Sequence, residues 1–254
     1  MGSKKPDSGG VIRDQMEFHS AKGIKAKSPK PSGKALVQAS EQALNDALDK
    51  YAKTNNSDEK VIILYELALN SNSKILELVY KALEDPSDDV RIAAAQLLSN
   101  FDANSVIPAI SKALDDKNDE VRLLSMQVLG DADIPEIAKL LARGVSDNSE
   151  NVRNAVFSSV SGKDISIKEA VLGEAIRSEF QDVKGKIVEL AVETRSHRTV
   201  EMLLGALKNN DEELEKEIFA VMTVFFSEEF KTSGEARSWW AKNKGRFDNE
   251  LFEK

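Results

Sequence analysis

The sequence predicts an all-α protein, a solenoid of about six helix pairs, on three observations. The stretch from Asp85 to Leu98 returns 31 residues later from Asp116 to Leu129, and again from Asp147 to Val160. A fixed period of this length is typical of solenoids. Apolar residues also recur at helical spacing. Charged residues make up 31% and aromatic residues 6% of the chain, with only 13 Gly and 6 Pro, which indicates a helical protein with a charged exterior.

Residues 1–33 are rich in Lys, Ser, Gly and Pro and poor in apolar residues, which predicts a disordered basic tail or linker. Residues 1–35 contain eight Lys or Arg and three Asp or Glu, a net charge of +5, so the rest of the chain carries −13 to give the total of −8. The role of the tail stays open between a tether and an autoinhibitory segment, since Val11, Ile12, Met16 and Phe18 could dock on the solenoid.

The solenoid is expected to span 34–254. Apolar spacing predicts helix pairs near 34–70, 72–100, 104–131, 134–162, 165–195 and 198–226, followed by a capping helix at 233–247. In the first helix of each regular pair, a large apolar residue follows a small one. The small residues are Ala82, Ala113, Gly144, Ala175 and Ala206. An unbroken column of small residues predicts that each first helix packs closely against a neighbour.

The second helix of each regular pair carries apolar residues at its start and four, seven and eight positions later, except for Ser125 and Ser159, which predicts a single buried stripe. The starting residues are Val90, Val121, Val152, Val183 and Leu214. Asp, Asn and Ser cluster between the two helices, where they supply caps. Positions two, three and six residues after each starting residue lie away from the stripe and are expected to remain open to a partner.

The motif Asp-x-x-x-x-Val-Arg, followed by a helix rich in Ala and Leu, stands at Asp85–Arg91, Asp116–Arg122 and Asp147–Arg153. It resembles HEAT repeats of the short variety, about 31 residues long, found in phycobilisome-lyase-like proteins. The resemblance implies a right-handed superhelix in which these Asp and Arg residues form a hydrogen-bonded ladder between successive repeats. The motif departs from the pattern at Ser178 and Lys184 and fails at Asn209 and Glu215. The last two pairs are therefore expected to be held by their apolar columns alone.

The C-terminal segment Trp239-Trp240-Ala241-Lys242-Asn243 is similar to a Trp-Trp-x-x-Asn tail that closes many bacterial HEAT-repeat proteins. A terminal repeat leaves its last apolar face bare, so a cover is needed there. Trp239, Trp240 and Phe247 are predicted to supply this cap, because the bodies of tryptophan side chains favour burial. An aromatic binding site is the alternative for the same residues.

Residue types and motifs point away from catalysis. The chain has no Cys and only two His, and neither His belongs to a His-Glu pair that could ligate a metal. The sequence contains no Gly-rich phosphate loop, Gly-x-Ser-x-Gly turn or Ser-His-Asp arrangement. We therefore predict a protein that is not an enzyme and has no cofactor, with no catalytic, cofactor-binding or metal-binding residue.

The acidic body argues against nucleic acid as the partner, because phosphate binding requires clustered Lys and Arg. The sequence has no run of about 18 apolar residues, so we predict no transmembrane segment. We expect a monomeric bacterial scaffold or adaptor in the cytoplasm, or in the envelope or periplasm if a signal segment preceded residue 1 and was trimmed. The alternative is a HEAT-like enzyme or a lyase-type chaperone that acts on a tetrapyrrole or nucleic acid.

A protein or peptide partner is expected on the concave face, which the second helices line in the family that this chain resembles. The positions away from the buried stripe are apolar or polar and uncharged in the second to fourth pairs. The predicted partner-binding residues are Ile92, Gln96, Leu123, Leu124, Gln127, Asn154 and Ser158. Three large apolar groups on one face require an explanation. The alternative explanation is tighter stacking that buries Ile92 and Leu124 against adjacent second helices.

Overall fold

The fold is helical throughout the residues that the computed structural model describes, which are 33–68, 72–132, 134–207 and 211–254, with backbone alone for 33–40. The one β interaction within these ranges is an isolated bridge between Phe247 and Glu253. The predicted disordered tail lies outside the described residues, except for Gly33. The chain divides into two compact units, Met1–Ala43 and Leu44–Lys254, and the second holds the stacked helices.

The helices follow one another in pairs. The pairs are α1 (Gly33–Lys53) with α2 (Ser57–Leu67), α3 (Ser73–Ala82) with α4 (Asp88–Leu97), α5 (Ala103–Ala113) with α6 (Asp119–Asp131), α7 (Ile137–Gly144) with α8 (Glu150–Val160), α9 (Ile165–Ala175) with the short α10 (Gln181–Lys184) and α11 (Ile187–Glu193), and α12 (His197–Ala206) with α13 (Glu212–Phe226). Helix α14 (Ser233–Asn243) follows the last pair. None of these helices is long and apolar enough to span a membrane.

Polar residues in the turns cap some of the second helices. The side chain of Asn56 accepts a hydrogen bond from the backbone N–H of Asp58 at the start of α2, and that of Asn118 accepts one from Glu120 at the start of α6. These N–H groups have no partner inside the helix, so a side-chain cap stabilises each helix start. These two turns therefore stabilise the first turns of α2 and α6.

The helices form two layers, one of first helices and one of second helices. Second helices pack side by side from α2 to α4, α4 to α6, α6 to α8 and α11 to α13, while α7 packs on α9 in the other layer. The two helices of a pair also touch, as α3 touches α4. The apolar stripes meet between the layers, where Val90, Val121 and Val152 are fully buried. This arrangement confirms the α-solenoid that the sequence predicts.

The small column of the first helices is buried throughout, from Ala82 to Ala206. The approach at Gly144 leaves no space for a side chain, since an added Cβ atom would lie 2.4 Å from Met126 Cε and 2.6 Å from Val156 Cγ2. Helix α7 therefore lies so near to α6 and α8 that one methyl group has no room, since protein interiors are close-packed.

The second helix of the fifth pair differs from the others because it is split. Helix α10 ends at Lys184 and α11 begins at Ile187, with Gly185 and Lys186 between them. The apolar spacing predicts one continuous helix here. Gly185, which is a poor helix former, stands at the break. Val183 and Ile187 are fully buried on either side of the break, so the apolar stripe continues through it.

The C-terminal segment packs on the last pair. Helix α14 begins with a reciprocal capping box between Thr232 and Glu235 and contacts α12 and α13. Beyond α14 the chain folds back, so that Phe247 pairs with Glu253 and Leu251 is buried. Arg195 holds this turn by donating a hydrogen bond to the carbonyl oxygen of Leu251 at 2.9 Å.

Candidate functional site

A ladder of ion pairs joins each second helix to the next pair. Its five rungs, with the distance from nitrogen to oxygen, are Lys60–Asp85 (2.6 Å), Arg91–Asp116 (2.7 Å), Arg122–Asp147 (2.8 Å), Arg153–Asp182 (2.8 Å) and Lys184–Asp211 (2.6 Å). Each Arg rung has two parallel N–H···O bonds, a geometry that suits a guanidinium and a carboxylate. Arg91 also donates to the carbonyl oxygen of Asp85 in its own turn at 2.9 Å. A rung therefore fixes a turn and a neighbouring repeat together.

Burial and hydrogen bonding act in opposite directions on the ladder carboxylates. Burial raises the pKa of Asp116, but hydrogen bonds from Arg91 and from the backbone N–H of Asn118 outweigh it, and the pKa lies below its ordinary value. The pKa of Asp147 is lowered against burial in the same way. These carboxylates are therefore ionised at neutral pH and bound to cations, which is a structural arrangement rather than a reactive one.

The ladder extends beyond the motif that the sequence shows. The family motif breaks at Ser178, yet Asp182, four residues later, accepts the hydrogen bonds of Arg153. Lys184 likewise reaches Asp211. The expectation that the last two pairs are held by apolar columns alone is therefore wrong. The sequence motif also does not identify Lys60 as a ladder residue, although Lys60 stands one period of 31 residues before Arg91.

The second-helix face is the surface formed by residues of α2, α4, α6, α8 and α11 that lie away from the buried stripe. An apolar row crosses it, formed by Ile62, Ile92, Leu123 and Leu124. Ile62 is 54% exposed. Ile92, Leu123 and Leu124 are half-buried and pack against the core. Neither alternative, an open groove or a closed core, describes these three residues fully. One side of each side chain packs on the core and the other side is accessible to solvent.

A polar row runs beside the apolar row. Its members are exposed, and they are Tyr65, Gln96, Gln127, Asn154 and Ser158. The Tyr65 hydroxyl donates a hydrogen bond to Gln96 Oε1 at 2.7 Å, which links successive second helices. Partial burial of the ring and the negative charge of Asp89 raise the pKa of Tyr65, so the hydroxyl keeps its proton. Amide and hydroxyl groups can both donate and accept hydrogen bonds, which suits them to the backbone of a bound peptide.

The second-helix layer opens between α8 and α11 into a cleft of about 330 Å³. Two predicted partner-binding residues, Asn154 and Ser158, line this cleft. The other lining residues are Phe157, Val160, Ser161, Lys186, Glu189, Leu190 and Glu193. A volume of this size lies at the lower end of the range for ligand pockets. The cleft separates the apolar row from the charged part of the face on α11.

The three predicted cap residues lie together at the end of the stack. Trp240 and Phe247 are buried and Trp239 is half-buried. The ring of Phe226, at the end of α13, is within 4.8 Å of Trp239, 5.5 Å of Trp240 and 4.9 Å of Phe247 between ring centroids. Aromatic rings at these distances stabilise one another. Mutual packing onto α13 favours a cap over a binding site for these residues.

Comparison with known proteins agrees with this architecture over part of the chain. Residues 44–129 match the family model of HEAT repeats. The matched stretch contains α2 to α5 and nearly all of α6, with the first two rungs of the ladder and the whole apolar row. No match is found among curated proteins. Across the described ranges, no group of three or more His, Asp or Glu side chains is placed to hold a metal ion.

Proposed function

We propose that this protein is a non-catalytic scaffold or adaptor that binds a protein or peptide partner on its second-helix face. The observation that carries the proposal is the apolar row beside the polar row. Single exposed apolar side chains are ordinary, whereas a row of partly accessible apolar side chains on one face is typical of interaction sites. The match to HEAT repeats over residues 44–129 supports a binding role, because solenoids present extended surfaces to their partners.

The packing of the apolar row favours binding over simple exposure. Ile92, Leu123 and Leu124 are held against the core on one side, so their accessible surfaces are fixed before a partner arrives. Binding then loses little side-chain entropy, while covering the apolar surface remains favourable. The polar row supplies a rim that can fix the register of the partner.

The test is an affinity capture from the source cell, with the full chain as bait and two matched variants. Ile62→Asp places a charge in the apolar row on α2. Ile165→Asp places the same charge at the start of α9 in the first-helix layer, where Ile165 is 47% exposed. Both variants should keep the melting temperature of the wild type, because neither side chain is buried. We expect the wild type and Ile165→Asp to capture the same protein and Ile62→Asp to lose it.

Other results count against the proposal. Equal capture by all three baits would mean that the partner binds elsewhere, and loss by both variants would indicate an effect unrelated to the second-helix face. Recovery of a tetrapyrrole or of nucleic acid in place of a protein would support the alternative function instead.

A further inference from the structure

The charges of α2, α4 and α6 are one-sided. Each of these helices contains a single basic residue, Lys60, Arg91 or Arg122, and each basic residue is bound to an Asp of the following pair. Every other charged residue of the three helices is acidic. The charge that these helices present to a partner is therefore negative.

An acidic row lies next to the apolar row. Its members are Asp58, Asp89 and Glu120, which are exposed and stand 31 residues apart. Each precedes a residue of the apolar row by three or four positions, so both lie on the same side of the helix. Asp88 does not belong to the row, since Lys117 binds it at 3.0 Å. A carboxylate in the first turn also stabilises a helix, but that effect does not explain why the only basic residue of each of these three described helices is bound to an Asp of the following pair.

We propose that the partner segment is extended and cationic, with a Lys or Arg at every third residue to meet the acidic row. This inference rests on the proposed function of the second-helix face. Packed helices lie about 8–10 Å apart, so successive carboxylates of the row repeat at roughly that distance. A polyproline II segment repeats its side chains every three residues, or about 9.3 Å, which matches this spacing. The two intervening residues of each repeat cover the apolar row.

The polar row selects an extended segment over a helix. A polyproline II backbone makes no internal hydrogen bonds, so its N–H and C=O groups require other partners. The exposed side chains of Gln96 and Gln127 provide them. A helical partner has satisfied its own backbone and would leave these amides to water. The row is neutral at α8, where Asn151 takes the acidic position, so the segment needs three cations.

The probe is a fluorescein-labelled peptide of four Lys-Leu-Pro repeats, whose binding to the full chain is followed by fluorescence anisotropy. One control peptide replaces every Lys by Glu. A second control has the composition of the probe, with its lysines grouped at one end. We expect the probe to bind and added salt to weaken its binding. Both control peptides should bind less tightly, because only the probe carries a positive charge at the spacing of the acidic row.

Two double variants distinguish the effect of the acidic row on probe binding from the effect of the net charge of the protein. Asp89→Asn with Glu120→Gln removes two carboxylates from the row. Glu77→Gln with Glu201→Gln removes two exposed carboxylates from the first helices α3 and α12 and changes the net charge equally. We expect the row variant to weaken probe binding by about five- to thirty-fold, and the control variant by less than about two-fold.

Several outcomes would overturn the inference. These are equal weakening by the two double variants, equal binding of the peptide with grouped lysines, or no measurable binding of the probe. If any of these occurs while Ile62→Asp still loses the captured partner, the proposed function stands and the inferred charge of the partner is wrong. If the row variant loses probe binding and the control variant does not, the result supports both the proposed function and the inferred charge of the partner.

Discussion

Gly144→Ala is expected to destabilise the protein, although alanine is normally the better helix residue. Gly144 ends α7, and an added Cβ would lie 2.4 Å from Met126 Cε and 2.6 Å from Val156 Cγ2. The end of the Met126 side chain is flexible and can move aside. Val156 is branched at Cβ and is held to one rotamer in its helix. The clash with Val156 can therefore be relieved only by moving a helix.

Two opposing energies set the size of the effect. Alanine gains about 0.8–1 kcal/mol over glycine within a helix. Overpacking a close-packed site by one carbon costs about 1–3 kcal/mol, and the upper half of that range applies because Val156 cannot rotate away. The expected net loss is about 1–2 kcal/mol. For a folded region of this size, such a loss lowers the melting temperature by roughly 3–6 °C.

Thermal unfolding followed by circular dichroism measures this loss, with Gly173→Ala as the matched control. Gly173 lies inside α9, and its added Cβ would be 3.7 Å from Met202 Sδ, an ordinary contact. That variant should be stabilised by about 0.5–1 kcal/mol. Adding Val156→Ala to Gly144→Ala should cost less than the sum of the single changes. A Gly144→Ala protein as stable as the wild type would refute the close approach of α7 to α6 and α8.

Three further predictions concern the ladder and the C-terminal helix. Arg122→Met should cost about 3 kcal/mol of stability in urea unfolding, because the carboxylate of Asp147 loses its cation at a site where the Arg122 and Asp147 side chains are 14% and 12% exposed. Adding Asp147→Asn should recover part of this loss, and the absence of any recovery would argue against the ion pair. Asp116 has a lowered pKa in the folded state, so its contribution is complete above the unfolded value of about 3.9 and disappears as the pH falls through the folded value. The stability difference between the wild type and Asp116→Asn should therefore be constant above about pH 5 and shrink in acid, and a difference that persists to pH 2 would contradict the ion pair. Trp240→Ala should cost about 3–5 kcal/mol and expose α13 to limited proteolysis, whereas a cleavage pattern like that of the wild type would exclude a cap.

The architecture is predictable because one period repeats the same environment. Arg91 and Arg122 stand 31 residues apart, and each makes the same pair of bonds to the next Asp. A pattern that repeats in the sequence therefore repeats in the contacts. The fifth pair departs from it, since Asp182 replaces Ser178 as the acceptor and Gly185 splits the helix. Alignment by position cannot show that a side chain four residues away restores the same hydrogen bonds.

The candidate site is less predictable than the fold. Helical phase predicts which side of α4 and α6 carries Ile92 and Leu124, but it does not say how far the neighbouring helices cover them. Their half-burial depends on the distance between packed helices, which no single helix encodes. Ile62 and Tyr65 are more exposed, yet they lie in the first pair, where the motif is too weak to align. One period counted back from Gln96 leads to Tyr65.

The ladder also determines how a chain of this kind can lengthen. One period before Asp85 stands Thr54, and one period after Lys184 stands Glu215, so neither end repeats the ladder residue at its aligned position. A duplicated unit inserted between α4 and α5 would bring one ladder cation and one ladder Asp. Each would then face a residue of opposite charge in the neighbouring unit. The same unit added after α13 would place its Asp against Glu215, and like charges repel. The ladder therefore favours duplication of a unit between α4 and α5 over the addition of a unit after α13.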